Sequence, residues 1–140
     1  MRYVLDSNVA LKWFLPEESS DLARGLLSRA RDGSVSLIAP EIFLAEVAHS
    51  LRREVVRKRL PIEEARSIWQ DIRTIQIELH SVATLADDAF SLALENMGAV
   101  YDALYIALAV REDLKVVTAD DRMVNAFAKV NRAVTLASFE

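Results

Sequence analysis

Five short runs of aliphatic and β-branched residues, separated by stretches of helical periodicity, constrain this chain more than any other feature. Tyr3-Val4-Leu5 reads as a short buried strand ending at Asp6. Val35 to Ile38 reads as a second, Ile75 to Leu79 as a third with alternation, Leu114 to Thr118 as a fourth, and Val134 to Leu136 as a last. The fourth run has no alternation, as expected of a strand covered on both faces in a parallel sheet. Between the runs the pattern is helical. Val9 to Leu15 forms a turn or two stopped by Pro16. Leu22, Leu26, Leu27 and Ala30 share a face, with Ser19 or Ser20 as cap and Gly33 as stop. Pro40 suits the first position of a helix whose stripe is Leu44, Val47, Ala48, Leu51 and Val55. Pro61 opens a helix with Ala65, Ile68, Trp69 and Ile72 on one side. Thr84 and Asp87 form a capping-box pattern for a helix ending at Gly98. Tyr101 to Val110 is helical and apolar on nearly every face, so it is expected to be buried, and Asp121 to Val130 is a last helix. Strands alternating with helices predict an α/β layered fold around a parallel sheet.

The 140 residues are the size of one domain, and residues 1–140 are read as a single unit. With 52% apolar residues the chain can bury a proper core. The absence of cysteine excludes disulfides, thiolate zinc sites and thiol catalysis. His49 and His80 lie 31 positions apart, a poor basis for zinc. Any metal here needs oxygen ligands, which points to magnesium or manganese. The start Met1-Arg2-Tyr3-Val4-Leu5-Asp6 reads as a strand rather than a leader, and no apolar run approaches the length of a membrane span. A soluble, cytoplasmic protein with no membrane partner is the expectation. The formal net charge of −4 argues against broad, nonspecific nucleic-acid binding, but its distribution is uneven. Arg52, Arg53, Arg57, Lys58 and Arg59 against Glu54 give +4 within eight residues, leaving −8 on the rest.

Four acids stand where a parallel sheet would gather them. Asp6 ends the first strand and Asp120 follows Val116-Val117-Thr118 in the same way. Open parallel sheets bind ligands outside the carboxyl ends of their strands. Asp102 is the only charge between Gly98 and Val110, in the first turn of a helix expected to be buried, and Glu46 flanks the apolar stripe of its helix. Each acid alone also has a plain structural role. Asp6 can make a turn with Ser7 and Asn8, Asp120 can cap a helix, Asp102 can favour a helix dipole, and Glu46 can be solvated. Those roles do not explain why the acids recur at positions that one rim would unite. Clustered carboxylates raise one another's pKa unless a cation sits among them. A divalent ion resolves the repulsion, activates water and stabilises charge on a phosphorus centre, so phosphodiester hydrolysis is the reaction that suits such a site. No serine–histidine pair or phosphate-binding glycine loop competes. An aspartyl phosphatase wants a second Asp two positions after the first, where this chain has Asn8, and a phospho-receiver wants a lysine after a late strand, whereas Lys115 precedes Val116. A catalytically silent binding module remains a rival of another class.

The segment Val4-Leu5-Asp6-Ser7-Asn8-Val9-Ala10-Leu11-Lys12-Trp13-Phe14-Leu15-Pro16-Glu17-Glu18 resembles the start of PIN-domain toxins of the VapC type. Ala39-Pro40-Glu41-Ile42-Phe43-Leu44-Ala45-Glu46-Val47 resembles their second acidic motif, Tyr101 to Ala109 the third, and Val117-Thr118-Ala119-Asp120 the fourth, in the family's order and over nearly the whole chain. The resemblance implies a PIN-like three-layer sandwich with a central parallel sheet flanked by helices. It implies a Mg2+- or Mn2+-dependent endoribonuclease acting on RNA, the toxin of a toxin–antitoxin pair, with a cognate antitoxin that blocks the site, and commonly a homodimer. By motif match Asp6, Glu46, Asp102 and Asp120 form the catalytic and metal-binding quartet, with Asp6 and Asp102 the most direct ligands. Asn8 and Thr118 match polar positions that orient the acids, and Ser7 offers a nearby hydroxyl. Asp121 competes with Asp120 for the fourth place, and Glu41 less well with Glu46. The basic run Arg52, Arg53, Arg57, Lys58 and Arg59 has two functional readings, RNA phosphates or an acidic stretch of a partner, beside that of a solvated helix end. Trp13, Phe14, Phe43 and Trp69 read as core or dimer interface; His49, one turn beyond Glu46, reads as a surface or packing residue that could also approach the site, and His80 has no evident role.

Overall fold

The computed structural model describes residues 1–139. The chain runs β1 (Arg2–Leu5), α1 (Ser7–Leu11), α2 (Ser20–Arg31), β2 (Ser36–Pro40), α3 (Ile42–Val56), α4 (Ile62–Thr74), β3 (Ile77–His80), α5 (Val82–Asn96), α6 (Val100–Glu112), β4 (Val116–Thr118), α7 (Asp121–Ala126) and β5 (Ala133–Thr135), followed by a 3-10 turn at Leu136–Ser138. The five strands form one sheet in the order β3-β2-β1-β4-β5, and every pairing is parallel. This is the α/β layered architecture that the strand–helix alternation predicts.

The three central strands carry unbroken apolar runs because both faces of the sheet are covered. Along β1, Tyr3 and Leu5 join one core with Val9, Trp13, Leu26, Phe43, Val47 and Ile68, from the side of α1 to α4. Val4, between them, joins the opposite core with Leu85 and Ala89 of α5, Met123 of α7, Phe127 at the end of α7 and the buried run Ala103 to Ala109 of α6. The period of two along each strand therefore feeds two cores at once, giving three layers. No single helix is long and apolar enough to cross a membrane among the described residues.

Several local expectations need correction. Pro40 does not open α3. It ends β2, pairs in register with His80, and α3 begins only at Ile42. A proline has no N–H to give a ladder and is tolerated at such a strand end. Leu22 faces solvent, whereas Ala23, Leu26 and Leu27 are the buried side of α2. The α5 cap position is Ser81 with no side-chain cap bond, and the Thr84 hydroxyl donates instead to the Ser81 carbonyl, so the Thr84–Asp87 capping box is absent. The last helix stops at Ala126 rather than Val130, and a series of tight turns closes the chain into β5. The first helix is also shorter than expected. It covers Ser7–Leu11, and turns rather than helix carry the chain through Trp13 and Phe14 to Leu15.

Candidate active site

β1 and β4 lie side by side at the centre of the sheet, where the order of connection reverses. The ends of two neighbouring strands splay apart at such a switch point and leave a crevice. Asp6 closes β1, and its N–H is tied to the Val117 carbonyl at 3.1 Å, so the two strand ends are locked in register. The Asp6 carboxylate is 5% exposed. Its Oδ2 accepts from the Thr118 hydroxyl at 2.7 Å, and its Oδ1 lies 3.5 Å from the Ser7 hydroxyl. Thr118 in turn accepts from the Asp120 N–H at 3.0 Å, so one hydroxyl sets both the first acid and the backbone of the fourth. Asn8 accepts from the Ala119 N–H through Oδ1 at 3.1 Å, which fastens α1 to the β4 loop.

The other acids arrive from the helices. Glu46, half-buried on α3, accepts from the Tyr105 phenol at 2.5 Å and from the Ser7 hydroxyl at 3.4 Å, both at Oε1. Asp102, in the first turn of α6, receives no side-chain hydrogen bond among the described residues. Asp120 caps α7, its Oδ1 accepting the Arg122 N–H at 2.9 Å and facing the Arg122 Nε at 3.4 Å. Asp121 and Glu41 point to solvent in the first turn of α7 and at the start of α3. Asp120, not Asp121, is the acid whose charge bears on Asp102.

The electrostatics follow from this gathering. Burial pushes the Asp6 carboxyl up to about 7, against the pull of the Thr118 hydroxyl, and the charges of Glu46 and then Asp102 push it further up. Burial also raises Glu46, opposed by the hydrogen bonds from Tyr105 and Ser7. Asp102 is raised by burial, then by Asp120 and Glu46, and Arg122 alone works the other way. Burial, followed by the charges of Asp6 and Glu46, raises the Tyr105 phenol, so it stays a protonated donor. The four carboxyl groups are thus linked by repulsion, relieved in part by Arg122 beside Asp120. Their chemistry fits a hard divalent cation. They do not form a closed cage, for among the described residues no three Asp, Glu or His are set to hold an ion unaided.

Tyr105 was not singled out from the sequence. Its signal was present, because three residues after Asp102 it shares that acid's helix face. The basic run lies elsewhere, at the far end of α3. Arg52 and Arg53 are exposed on the helix, Arg57 is its C-cap, and Lys58 and Arg59 follow, with Arg59 held by Glu54 at 2.5 Å. Trp13 and Phe43 are core, Phe14 and Trp69 are partly buried against it, and His49 is exposed. His80 bridges the Glu78 carboxylate and Arg111 on the β3 edge, away from the acids.

Comparison with known proteins agrees with this geometry. The PIN domain family model matches residues 3–132. Ribonuclease VapC3 of Pyrobaculum aerophilum is 31% identical over 131 residues, covering 91% of this chain and 95% of that protein. Ribonuclease VapC1 of Mycobacterium tuberculosis is 32% identical over 108 residues, 77% of each chain. Among solved structures, PAE2754 of Pyrobaculum aerophilum superposes with a TM-score of 0.74 at 18% identity, over 99% of this chain and 91% of that one. A toxin–antitoxin complex from Klebsiella pneumoniae superposes at 0.68 with 16% identity, over 96% and 97%. These structural likenesses speak for the fold.

Proposed function

The chain belongs to the PIN domain family, and on that premise we propose that it is a divalent-metal-dependent endoribonuclease, the toxin of a toxin–antitoxin pair. The observation that carries the reading is the convergence of Asp6, Glu46, Asp102 and Asp120 on the crevice between β1 and β4, with three of the four held above the ordinary carboxylate range. Magnesium or manganese bound there would supply the activated water and offset the charge that builds on the scissile phosphate. Asp6 and Asp102 would hold the ion most directly, Asp102 because its oxygens are not already engaged by a neighbouring side chain. Glu46 and Asp120 complete the negative field.

The remaining residues fix these oxygens. Thr118 orients Asp6 and the backbone before Asp120, Asn8 holds the loop between them, and Ser7 with Tyr105 aims Glu46. Losing orientation of this kind typically costs a metal site about tenfold to a hundredfold in affinity or activity. An antitoxin made beside the toxin would block the crevice, and RNA in the cytoplasm would be its substrate. A second copy of the chain has an exposed apolar surface to meet, formed by Phe90, Leu94, Met97 and Tyr101.

The test is cleavage of a structured RNA pool by purified, antitoxin-free protein with magnesium, with manganese, and with chelator. The proposal predicts cleavage in either metal, its loss in chelator, and its loss in Asp6→Asn with metal present. Cleavage that persists in chelator, or in Asp6→Asn at the parent rate, contradicts it. In cells, expression of the parent without antitoxin should arrest growth, and Asp6→Asn should not.

A further inference from the structure

We propose that the groove between α1 and α3 is a substrate-contact site, in which Arg53 and Arg57 hold the phosphates of the RNA strand on one side of the scissile bond. The proposal rests on the ribonuclease reading above and extends it to how the strand is laid across the protein.

The geometry begins at Glu46. On an α-helix, positions separated by four, seven and eleven residues return to one face. Glu46, Ser50, Arg53 and Arg57 have that spacing on α3, so the face that presents Glu46 to the acids also presents both arginines. At 1.5 Å per residue they lie roughly 10 Å and 16 Å along the helix from Glu46. α1 runs alongside, with Ser7 touching Glu46 and Leu11 a turn further on. The space between is a groove of about 350 Å3, lined among others by Leu11, Leu15, Ser50, Arg53, Arg57 and Arg59. Glu17 and Glu54 complete its lining, and the face of α3 that carries Glu46 leads from the acids toward it.

The charges in the groove are not equivalent. Arg59 is paired with Glu54, and Glu17 with Lys12. Arg53 and Arg57 take part in none of the ion pairs among the described residues, and Arg53 makes only a 3.5 Å contact to the Ser50 hydroxyl. Two uncompensated guanidinium groups therefore face a groove floored by leucine side chains. The end of α3 is fixed by crossed backbone bonds, Lys58 N–H to the Val55 carbonyl at 3.0 Å and Arg59 N–H to the Glu54 carbonyl at 2.9 Å, which hold the base of Arg57 in place. A cationic groove that tracks the phosphate backbone is one of the features that proteins use to hold single-stranded nucleic acid. A chain with net charge −4 and four acids at its centre has to attract a polyanion locally, and these two arginines would do so two to three helical turns from Glu46. An acidic peptide would be held by the same charges, but nothing about it would call for alignment with Glu46.

The test is binding and cleavage of a fluorescent single-stranded RNA oligonucleotide by the parent, the double variant Arg53→Gln/Arg57→Gln, the double variant Arg53→Lys/Arg57→Lys, and Arg111→Gln as a distant control. Binding is measured in chelator, where no cleavage occurs, over a range of salt. In the glutamine variant, Kd and KM should rise about tenfold, and the slope of log K against log salt should shrink by roughly 1 to 1.5, as expected for two lost phosphate contacts on a single strand. The lysine variant should recover most of the slope, and Arg111→Gln should match the parent. A glutamine variant that melts like the parent and keeps its Kd, KM and salt slope overturns the proposal. So does an equal loss in Arg111→Gln. Unchanged RNA parameters with weakened binding of a polyglutamate probe would give the groove to a protein partner instead. Failure of the ribonuclease reading is separate, since the parent itself would then not cleave the oligonucleotide in magnesium, whatever it binds in chelator.

Discussion

Asp6 shows at the scale of one residue how a site of this kind trades stability for function. Its carboxyl is pushed up to about 7 in the folded chain from 3.8. A carboxyl raised by folding binds more protons in the folded state than in the unfolded state, so its stabilising contribution is complete below pH 3.8 and is lost as pH rises through about 7. The metal-free protein should therefore lose, through this residue, on the order of a few kcal/mol between mildly acidic and neutral pH. Asp6→Asn removes that dependence. Thermal melts in chelator should show the variant gaining on the parent as pH rises from about 5 to about 8. A constant difference across that range would mean that Asp6 is not the titrating group. Tyr105 offers a second prediction. Tyr105→Phe deletes the phenol that donates to Glu46 at 2.5 Å while leaving the buried ring. Cleavage should fall roughly tenfold to a hundredfold, with about 1 kcal/mol or less lost in stability. An unchanged cleavage rate would show that aiming Glu46 does not matter. Asp6 and Asp102 could be picked out in the sequence because a lone acid at a strand end or in an apolar helix is conspicuous. Tyr105 could not, because an aromatic residue in a buried helix looks like packing until its hydroxyl is seen to meet a carboxylate.

At the scale of elements, the strands were easier to read than the caps. Tyr3-Val4-Leu5 and Val116-Val117 stand out because burial on both faces demands unbroken apolar runs. Pro40 is ambiguous in the sequence because proline suits both a first helical position and a strand end, and only pairing with His80 decides between them. Gly98 was read as a helix stop, but the left-handed residue that ends α5 is Met97. The close approach of Phe127 accounts for Gly98: a methyl group there would lie 2.4 Å from the ring Cζ. Phe127 is fully buried in the α5–α6–α7 core and cannot swing away. Gly98→Ala should therefore cost about 1 to 3 kcal/mol, measurable by denaturant midpoint. A neutral or stabilising result would mean that the α5–α6 turn yields easily. Met97, with φ near 53, is the place where glycine would be cheaper, so Met97→Gly should be close to neutral or mildly stabilising in the monomer.

At the scale of the whole molecule, the parallel sheet order explains why acids so far apart in sequence meet. β1 and β4 are neighbours although over a hundred residues separate them, and the reversal of connection between them opens the crevice. Sequence spacing alone does not reveal that adjacency; it follows once the strands are taken to lie in one parallel sheet. The exposed apolar residues Phe90 and Leu94, one turn apart on α5, Met97 at its C-cap and Tyr101 in the first turn of α6 belong to this scale too, gathered around the α5–α6 turn. The homodimer proposed above should use them. Leu94→Glu with Met97→Glu should sediment as a monomer where the parent sediments as a dimer, and a dimeric variant would place the contact elsewhere. The acids at the crevice are proposed to form an RNA-cleaving metal centre. Asp102 tests this most directly, because its carboxylate receives no side-chain hydrogen bond whose loss would disturb the fold. The measurement is the single-turnover rate of RNA cleavage in saturating magnesium by the parent and by Asp102→Asn, with melting curves for both. A rate lower by at least about a hundredfold, in a variant that melts at or above the parent temperature, is the predicted result. Cleavage within a few-fold of the parent would contradict the account.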